Sequence, residues 1–506
     1  MSRLDAFRRY QSDIALFSRD VIGTPLHAYQ AEWAQYVLDV VTNKRNETVV
    51  IEMPRQSGKN EASSQLQVAT LARMGGAGGD WVKIAPTFKP QIVNSKARFE
   101  LRSKQAERRL PFLKFKPSMG YIYKCKRASI SFLSADPKAS VVGATASLCL
   151  EVDEAQDIDK AKLAKDFNPM RASTGAPIVL YGTTWTDDTV LEDHKRDVQE
   201  GRAKGRYFRI LPEAVAESNP AYGDFVDGEV KRLGREHPFV KTQYYLEPLP
   251  SAGRMLNQQQ LESCIGAHAR ADRRTNEAQI VAGLDFAGAD EQAGEIVSLS
   301  AGASSRDSVA LAIGAVEWIV IAEGLMVPHV RCLARYEWSN VNPVTLHSVL
   351  YSLLWDKWRV DLVHCDATGI GETGTAMLAT AINKPNRERV KAIKFDGAWT
   401  THTRLAFNYL AAVNGGRFKD YKADGFNPVE VAGQEQPDAS NPHRHVWWQR
   451  GHAKLEGKPG QKVRMYVADS EGHDDLLIAD ALCVSAAYDI GKPMHAKAGQ
   501  VAFYGN

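Results

Sequence analysis

Along the first 185 residues, short apolar runs alternate with stretches whose apolar positions recur at helical spacing. The runs Thr48–Met53, Trp81–Ala85, Ser147–Val152 and Ile178–Tyr181 read as strands. Ser147–Val152 is apolar on both faces, as the central strands of parallel sheets are. Between them the 3.6-residue period predicts helices over Gly58–Met74 and Pro90–Glu107, the first ended by Gly75-Gly76 as a left-handed stop. Such alternation predicts a mainly parallel α/β sheet. From Thr186 to Pro250 the pattern weakens into a charged, turn-rich stretch, read as a small lid and linker. At Gln279 a second α/β pattern opens, with strands over Ile280–Phe286, Ser308–Ala315, Glu317–Ala322, Leu362–Cys365 and Val390–Phe395 and a helix over about Thr401–Asn414. The segment Gly415–Lys462, rich in Gly, Pro and basic residues, reads as loops or a hairpin, Val463–Val467 as a strand and Asp474–Tyr488 as a closing helix. The expected division is therefore 1–185, 186–250, 251–490 and a flexible tail, 491–506.

Composition is consistent with this division. A chain of 506 residues exceeds what one core supports. An apolar fraction of 44% and a charged fraction of 24% are those of a globular protein, and a net charge of +3 places any nucleic-acid role in local patches. The six cysteines form no CxxC pair, which argues against a zinc ribbon and for buried, reduced thiols. The N-terminus lacks the apolar stretch of a signal peptide, and the longest apolar run, Ser308 to Ala322, is interrupted by Glu317 and too short to span a bilayer. A soluble, cytoplasmic protein is expected.

Chemistry enters first at Met53-Pro54-Arg55-Gln56-Ser57-Gly58-Lys59-Asn60. A strand runs into a tight Gly-Lys loop and then a helix, which aims backbone N–H groups at a phosphate chain and adds the Lys59 charge. Met53 stands where the standard loop has its first glycine, and Asn60 where it has a Ser or Thr metal ligand. About a hundred residues on, the strand Leu148–Val152 ends in two acids. Asp153 suits a Mg²⁺ ion held through water, and Glu154 suits orienting the attacking water. Thr183 and Thr184 follow the next strand, either as sensors of the γ-phosphate or as a plain turn. Tyr29 and Gln30 could stack on and read an adenine, or belong to an amphipathic helix with Trp33, Tyr36 and Val37. Between the two boxes lies a basic stretch, from Lys96, Arg98 and Arg102 to Lys126 and Arg127, offset only by Glu100 and Glu107; the imbalance favours DNA phosphate or a neighbouring ATP.

A second set of acids follows residue 279. Asp285 sits near the end of the first strand, Asp366 at the end of the fourth, and Asp474 and Asp475 open the last helix. In that order an RNase H-like fold brings acids together. Close carboxylates repel unless a cation intervenes, hard oxygen ligands select Mg²⁺ or Mn²⁺, and two such ions about 4 Å apart activate water for phosphodiester cleavage. Asp307 reads as a turn residue. The basic segment Arg444–Arg450 with Trp447 and Trp448, and the stretch Lys454–Arg464, form either a DNA-gripping hairpin or a site of buried tryptophans.

These motifs resemble those of the large terminase subunits of tailed double-stranded DNA phages. Pro-Arg-Gln-Ser-Gly-Lys, Val-Asp-Glu-Ala-Gln and Gly-Thr-Thr resemble their P-loop ATPase. Gly-Leu-Asp-Phe-Ala, Asp-Ala-Thr-Gly-Ile-Gly and His-Asp-Asp-Leu-Leu resemble the three acidic motifs of their RNase H-like nuclease. The resemblance implies that Arg55, Gln56, Ser57, Gly58, Lys59, Asn60 and Gln30 bind ATP, and that Asp153 holds Mg²⁺ with Glu154 catalytic. It implies that Thr183 and Thr184 couple hydrolysis to movement, and that Asp285, Asp366 and Asp475, with Asp474 as auxiliary, hold the two Mg²⁺ or Mn²⁺ ions of the nuclease. His473 either assists or caps. The family often has a basic residue at the place of Val142, acting on a neighbouring subunit's ATP, and this chain departs from it. The implied partners are double-stranded DNA, the procapsid portal, a small terminase subunit and further copies in a ring, a pentamer. The implied place is the host cytoplasm, transiently at the portal vertex and absent from the mature virion. A repair helicase–nuclease would need a second motor domain, for which the stretch from Trp185 to Gln279 is too short. A portal-docking protein with a decayed motor would suit Met53 and Asn60.

Overall fold

The computed structural model describes residues 9–491, apart from residue 11, the stretches 140–142, 251–252, 275–278, 287–307, 323–324, 438–440 and 469–471, and residues 340, 370, 386 and 459. Val142, Asp307 and the tail beyond Gly491 lie outside the described residues. The chain divides into two compact units. The first comprises Met1–Val230, Phe239–Pro250 and Lys458–Gln461, and the second comprises Lys231–Pro238, Ser251–Gly457 and Lys462–Asn506.

The first unit is built on an eight-stranded sheet. Its strands are β1 (Thr48–Glu52), β2 (Gly79–Ala85), β3 (Phe115–Pro117), β4 (Ile122–Cys125), β5 (Ala128–Ser134), β6 (Cys149–Val152), β7 (Ile178–Gly182) and β8 (Gly205–Arg209), in the order β3-β4-β5-β2-β6-β7-β1-β8. All pairs from β5 to β8 are parallel, and β3-β4-β5 form an antiparallel edge. Strands β1, β6 and β7 are buried throughout, as expected of mainly apolar central strands. Around them pack α1 (Ala28–Thr42), α2 (Lys59–Met74), α3 (Val93–Arg109) and α4 (Val190–Gln199). Strand β8 lies in the stretch read as lid and pairs with the P-loop strand from Thr48↔Gly205 to Glu52↔Arg209. The stop after α2 differs from expectation: Gly75 is right-handed, at φ −55°, and the left-handed residue is Gly78, at φ +89°.

The second unit is the RNase H-like arrangement. An antiparallel meander of β9 (Gln279–Asp285), β10 (Val309–Ala322) and β11 (Leu325–Trp338) is extended on the β9 side by parallel β12 (Leu362–Asp366) and β13 (Val390–Ile393). The two strands expected over 308–322 are one strand of 14 residues, and its partner β11 was not expected at all. A short β14 (Phe418–Lys419) joins the far edge. The covering helices include α5 (Pro343–Tyr351), α6 (Gly371–Ile382), α7 (Thr400–Asn414), α8 (Pro442–His452) and α9 (Asp475–Asp489). Helix α9 crosses the sheet at its two glycines. A Cβ on Gly283 would meet the Ala479 carbonyl at 1.9 Å, and one on Gly314 would meet Cys483 Sγ at 2.9 Å.

Helix α8 replaces the loops expected between Gly415 and Lys462. The DNA-gripping reading of its residues is overturned, because Trp447, Trp448 and Arg450 are fully buried. Arg450 and Arg335 share two carboxylates: Arg335 with Asp480 at 2.9 Å and Asp420 at 2.7 Å, Arg450 with Asp420 at 2.8 Å and Asp480 at 2.6 Å. Burial alone would raise the Asp420 pKa, but Arg335 and Arg450 hold it well below the carboxylate range. Asp480→Ala leaves two buried guanidinium groups to share Asp420 alone and is expected to cost about 3–5 kcal/mol, which urea denaturation would measure. The hairpin strands Lys454–Lys458 and Lys462–Tyr466 form a separate two-stranded sheet. All six cysteines are buried and unpaired. Among the described residues, no helix is long and apolar enough to cross a membrane.

Candidate active sites

In the first unit, β1 ends at the P-loop, and the loop conformation explains its residue types. Gln56 and Gly58 are left-handed, at φ +61° and +85°. Ser57 Oγ donates to the Pro54 carbonyl at 2.6 Å and closes the turn. The loop is braced from two sides. Tyr29 Oη donates to the Ser57 carbonyl at 2.9 Å and Gln30 Nε2 to the same oxygen at 3.3 Å, while Gln30 Oε1 accepts from the His27 N–H at 3.1 Å. Gln30 thus supports the loop from α1, and a Cβ on Gly58 would strike its amide nitrogen at 2.4 Å. From the other side, Arg55 N–H donates to the Gln243 carbonyl at 2.9 Å, and Tyr222 Oη donates to the Arg55 carbonyl at 3.1 Å. The cleft over the loop is lined by Arg55, Gln56, Ser57, Gly58, Lys59, Asn60, Arg98, Glu154, Asp157 and Thr183, among others.

The predicted motor residues meet there. Lys59 Nζ donates to Thr183 Oγ1 at 2.9 Å and lies 3.5 Å from Glu154. Thr183 Oγ1 donates to the Met53 carbonyl at 3.0 Å, and Thr184 is hydrogen-bonded to Glu52 on β1. Glu154 is held at φ +50°, a conformation costly for a residue with a Cβ and concentrated at functional positions. Three participants escaped the sequence reading. Gln156 donates to Glu154 Oε2 at 2.7 Å and accepts from the Thr183 N–H at 3.2 Å, so one amide ties the Glu154 carboxylate to the threonine turn. Asp157 also faces the cleft, and burial pushes its carboxyl up to about 6. Lys83, on β2, is buried and pairs with Glu151 at 3.0 Å and Asp153 at 3.2 Å. A lysine inside an apolar strand gave no pattern signal; only the parallel register of β2 with β6 brings it beside those acids.

Asn60 has its amide nitrogen 2.7 Å from Asp153 Oδ2 when oriented to satisfy both groups. Its replacement by Ala removes a hydrogen bond to a charged group, worth about 1.5–3 kcal/mol. ATP turnover by Asn60→Ala is therefore expected to fall about tenfold or more, with partial recovery as Mg²⁺ is raised. A turnover rate unchanged at every Mg²⁺ concentration would show that Asn60 only starts α2. In the basic stretch, Arg102 is engaged by Glu61 at 2.7 Å, and Lys96 by Glu100 at 3.4 Å.

In the second unit the sheet register gathers the acids. Leu284 lies beside Cys365 on the neighbouring parallel strand, so Asp285 and Asp366 are adjacent at the same sheet end. Helix α9 runs antiparallel to β9, since Gln279 Nε2 donates to the Gly491 carbonyl at 3.3 Å while Ala479 lies over Gly283. Asp475, one turn before Ala479, comes to the end of β9 that carries Asp285. Asp285 and Asp475 are buried, and Asp366 is half-buried. Asp475 Oδ2 accepts from Ser308 N–H at 3.0 Å and Oγ at 2.6 Å, and Asp366 Oδ1 from the Thr368 N–H at 2.8 Å. Asp474 makes no side-chain cap on α9; its Oδ2 accepts from the Val467 N–H at 3.3 Å. Burial and then the neighbouring Asp475 push its carboxyl up to about 7. Among the described residues, no three His, Cys, Asp or Glu side chains already converge as a metal cage. The donor set is all oxygen, which fits a hard divalent cation. His473 is exposed.

No protein-family model and no curated protein sequence matches the chain. Solved structures do. The crystal structure of the HK97 bacteriophage large terminase matches over 96% of this chain and 100% of its own, at 12% identity and a TM-score of 0.40. That of the large terminase from a thermophilic bacteriophage matches over 91% and 99%, at 10% identity and 0.41. The ATPase domain of the Thermus phage P74-26 large terminase matches over 45% and 96%, at 16% identity and 0.35. The solved structures to which this chain is similar are thus large terminases, two of them along nearly its whole length.

Proposed function

We propose that this chain is the large subunit of a phage terminase, which moves double-stranded viral DNA into procapsids by ATP hydrolysis and cuts concatemeric DNA with a metal-dependent endonuclease. The observation that carries this reading is the coexistence, in one chain, of two strand-end sites. One is a braced phosphate loop whose Lys59 reaches Glu154 and Thr183. The other is a sheet end that assembles Asp285, Asp366 and Asp475. In the motor, the loop N–H groups and Lys59 bind the phosphates of ATP, and Arg55 flanks them. Glu154, oriented by Gln156, takes the proton of the attacking water, and Asp153 and Asn60 face the place of the nucleotide's Mg²⁺. The Gln156 amide transmits a change at Glu154 to Thr183 and the end of β7. In the nuclease, Asp285, Asp366 and Asp475, with Asp474, would hold Mg²⁺ or Mn²⁺; the ions supply an activated water and charge stabilisation for the leaving 3′ oxygen. The portal, a small terminase subunit and a ring of copies, pentameric by analogy, are the partners this function requires, in the host cytoplasm.

ATP hydrolysis with and without double-stranded DNA, and Mn²⁺-dependent nicking of a supercoiled plasmid, test the two halves separately. DNA-stimulated turnover and EDTA-sensitive nicking are expected. A chain that binds but never hydrolyses ATP would support a docking protein with a decayed motor.

A further inference from the structure

The N-terminal turn of α9 is held by a closed ring of groups, of which only Asp475 belongs to the proposed chemistry. Ser308, just before β10, places its Oγ 2.6 Å from Asp475 Oδ2 and 2.9 Å from Glu337 Oε1. Glu337 lies near the end of β11, opposite Ala310. His445 Nδ1 stands 2.9 and 3.2 Å from the two Glu337 oxygens. One turn along α8, Gln449 Nε2 faces His445 Nε2 at 3.4 Å, and Gln449 Oε1 accepts from the Leu477 N–H at 2.9 Å. Leu477 is in the first turn of α9, two residues after Asp475, so the ring returns to its start.

The ring is buried, and its protons can be assigned. Ser308, Gln449, His445 and Asp475 are all buried, and Glu337 is nearly so. Leu477 N–H is only a donor, which fixes Gln449 Oε1 as the acceptor and turns Nε2 toward His445. His445 Nε2 is then an acceptor, its proton sits on Nδ1, and Nδ1–H donates to Glu337. The single Ser308 hydroxyl proton lies between Glu337 Oε1 and Asp475 Oδ2, and the Ser308 N–H donates to that same Asp475 oxygen. Outer partners that hold a metal-binding carboxylate fix its orientation in this way.

We propose that Glu337 and His445 are positioning residues of the nuclease centre, holding Asp475 through Ser308 in the orientation a divalent cation needs. The inference rests on the nuclease reading of Asp475. The test is Mn²⁺ binding to the full chain without nucleotide, followed by electron paramagnetic resonance of the free ion, alongside plasmid cleavage against Mn²⁺ concentration. Ser308→Ala and Glu337→Ala are each expected to weaken Mn²⁺ binding about 10–100-fold, with cleavage recovering at high Mn²⁺. The double variant should lose no more than the worse single one, because both break one chain of contacts. His445→Asn, whose amide donates where Nδ1 does, should retain the affinity that His445→Ala loses. Ser308→Ala removes one oxygen and keeps the test available should Glu337→Ala fail to fold. Wild-type Mn²⁺ affinity in Ser308→Ala and Glu337→Ala, with loss in Asp475→Ala, overturns the proposal and leaves the nuclease reading standing. Wild-type affinity in Asp475→Ala and Asp366→Ala as well overturns both.

Discussion

Replacing Asp285, Asp366 or Asp475 by Ala is expected to abolish DNA cleavage while ATP turnover stays at the wild-type rate. The three carboxylates reach one end of the second sheet from adjacent strands and the start of α9. On the proposed reading each supplies oxygen to one shared cation site, so any single loss disables it, and double replacements should cost no more than single ones. ATP turnover is spared because the motor's acids, Asp153 and Glu154, belong to the other unit. The same separation predicts that residues 251–506 cut DNA without ATP, given Mn²⁺ or Mg²⁺, and that EDTA stops them. Gel assays of plasmid nicking measure both. A soluble Asp366→Ala protein that nicks at the wild-type rate would refute the assignment.

Lys59→Ala and Glu154→Ala carry the second large effect, a loss of ATP turnover of at least about 10²–10³-fold, the usual cost of removing a group that stabilises the transition state. The two should differ in kind. Lys59 is the cation of the phosphate loop, so its loss also weakens nucleotide binding. Glu154, held by Gln156, is the proposed group that orients water, so its loss should slow hydrolysis and leave nucleotide affinity nearly intact. Steady-state kinetics with fluorescent-nucleotide binding separates the two. Wild-type turnover in either variant would remove the motor assignment.

The parts of the fold visible in the sequence were those written in local pattern. The strand ending at Met53, the Gly-Lys loop and the acids after Val152 announce themselves because mainly apolar runs stand out from the polar residues that follow them. The ends of the strands that carry Asp285 and Asp366, and the start of the helix that carries Asp475, were legible as local pattern too. Long-range pairing was not. Strand β11 carries Arg331, Arg335 and Glu337 among its apolar residues, so its alternation is broken by charges whose partners, such as Asp420 and Asp480, are far along the chain. Helix α8 was hidden by its histidines, arginines and tryptophans, which look like an exposed basic face until Arg450 is seen between two buried carboxylates. Lys83 and Gln156 were missed because a single polar residue acquires meaning only from what the register places beside it.

The most direct test of the central claim is ATP-driven uptake of double-stranded DNA into purified procapsids, scored as DNA protected from added DNase. The wild-type chain should protect DNA only with ATP, and Lys59→Ala should protect none. Asp366→Ala should still protect DNA that is already linear, because cutting and pumping use different sites. A wild-type chain that hydrolyses ATP in the presence of DNA and procapsids yet protects no DNA would contradict the account.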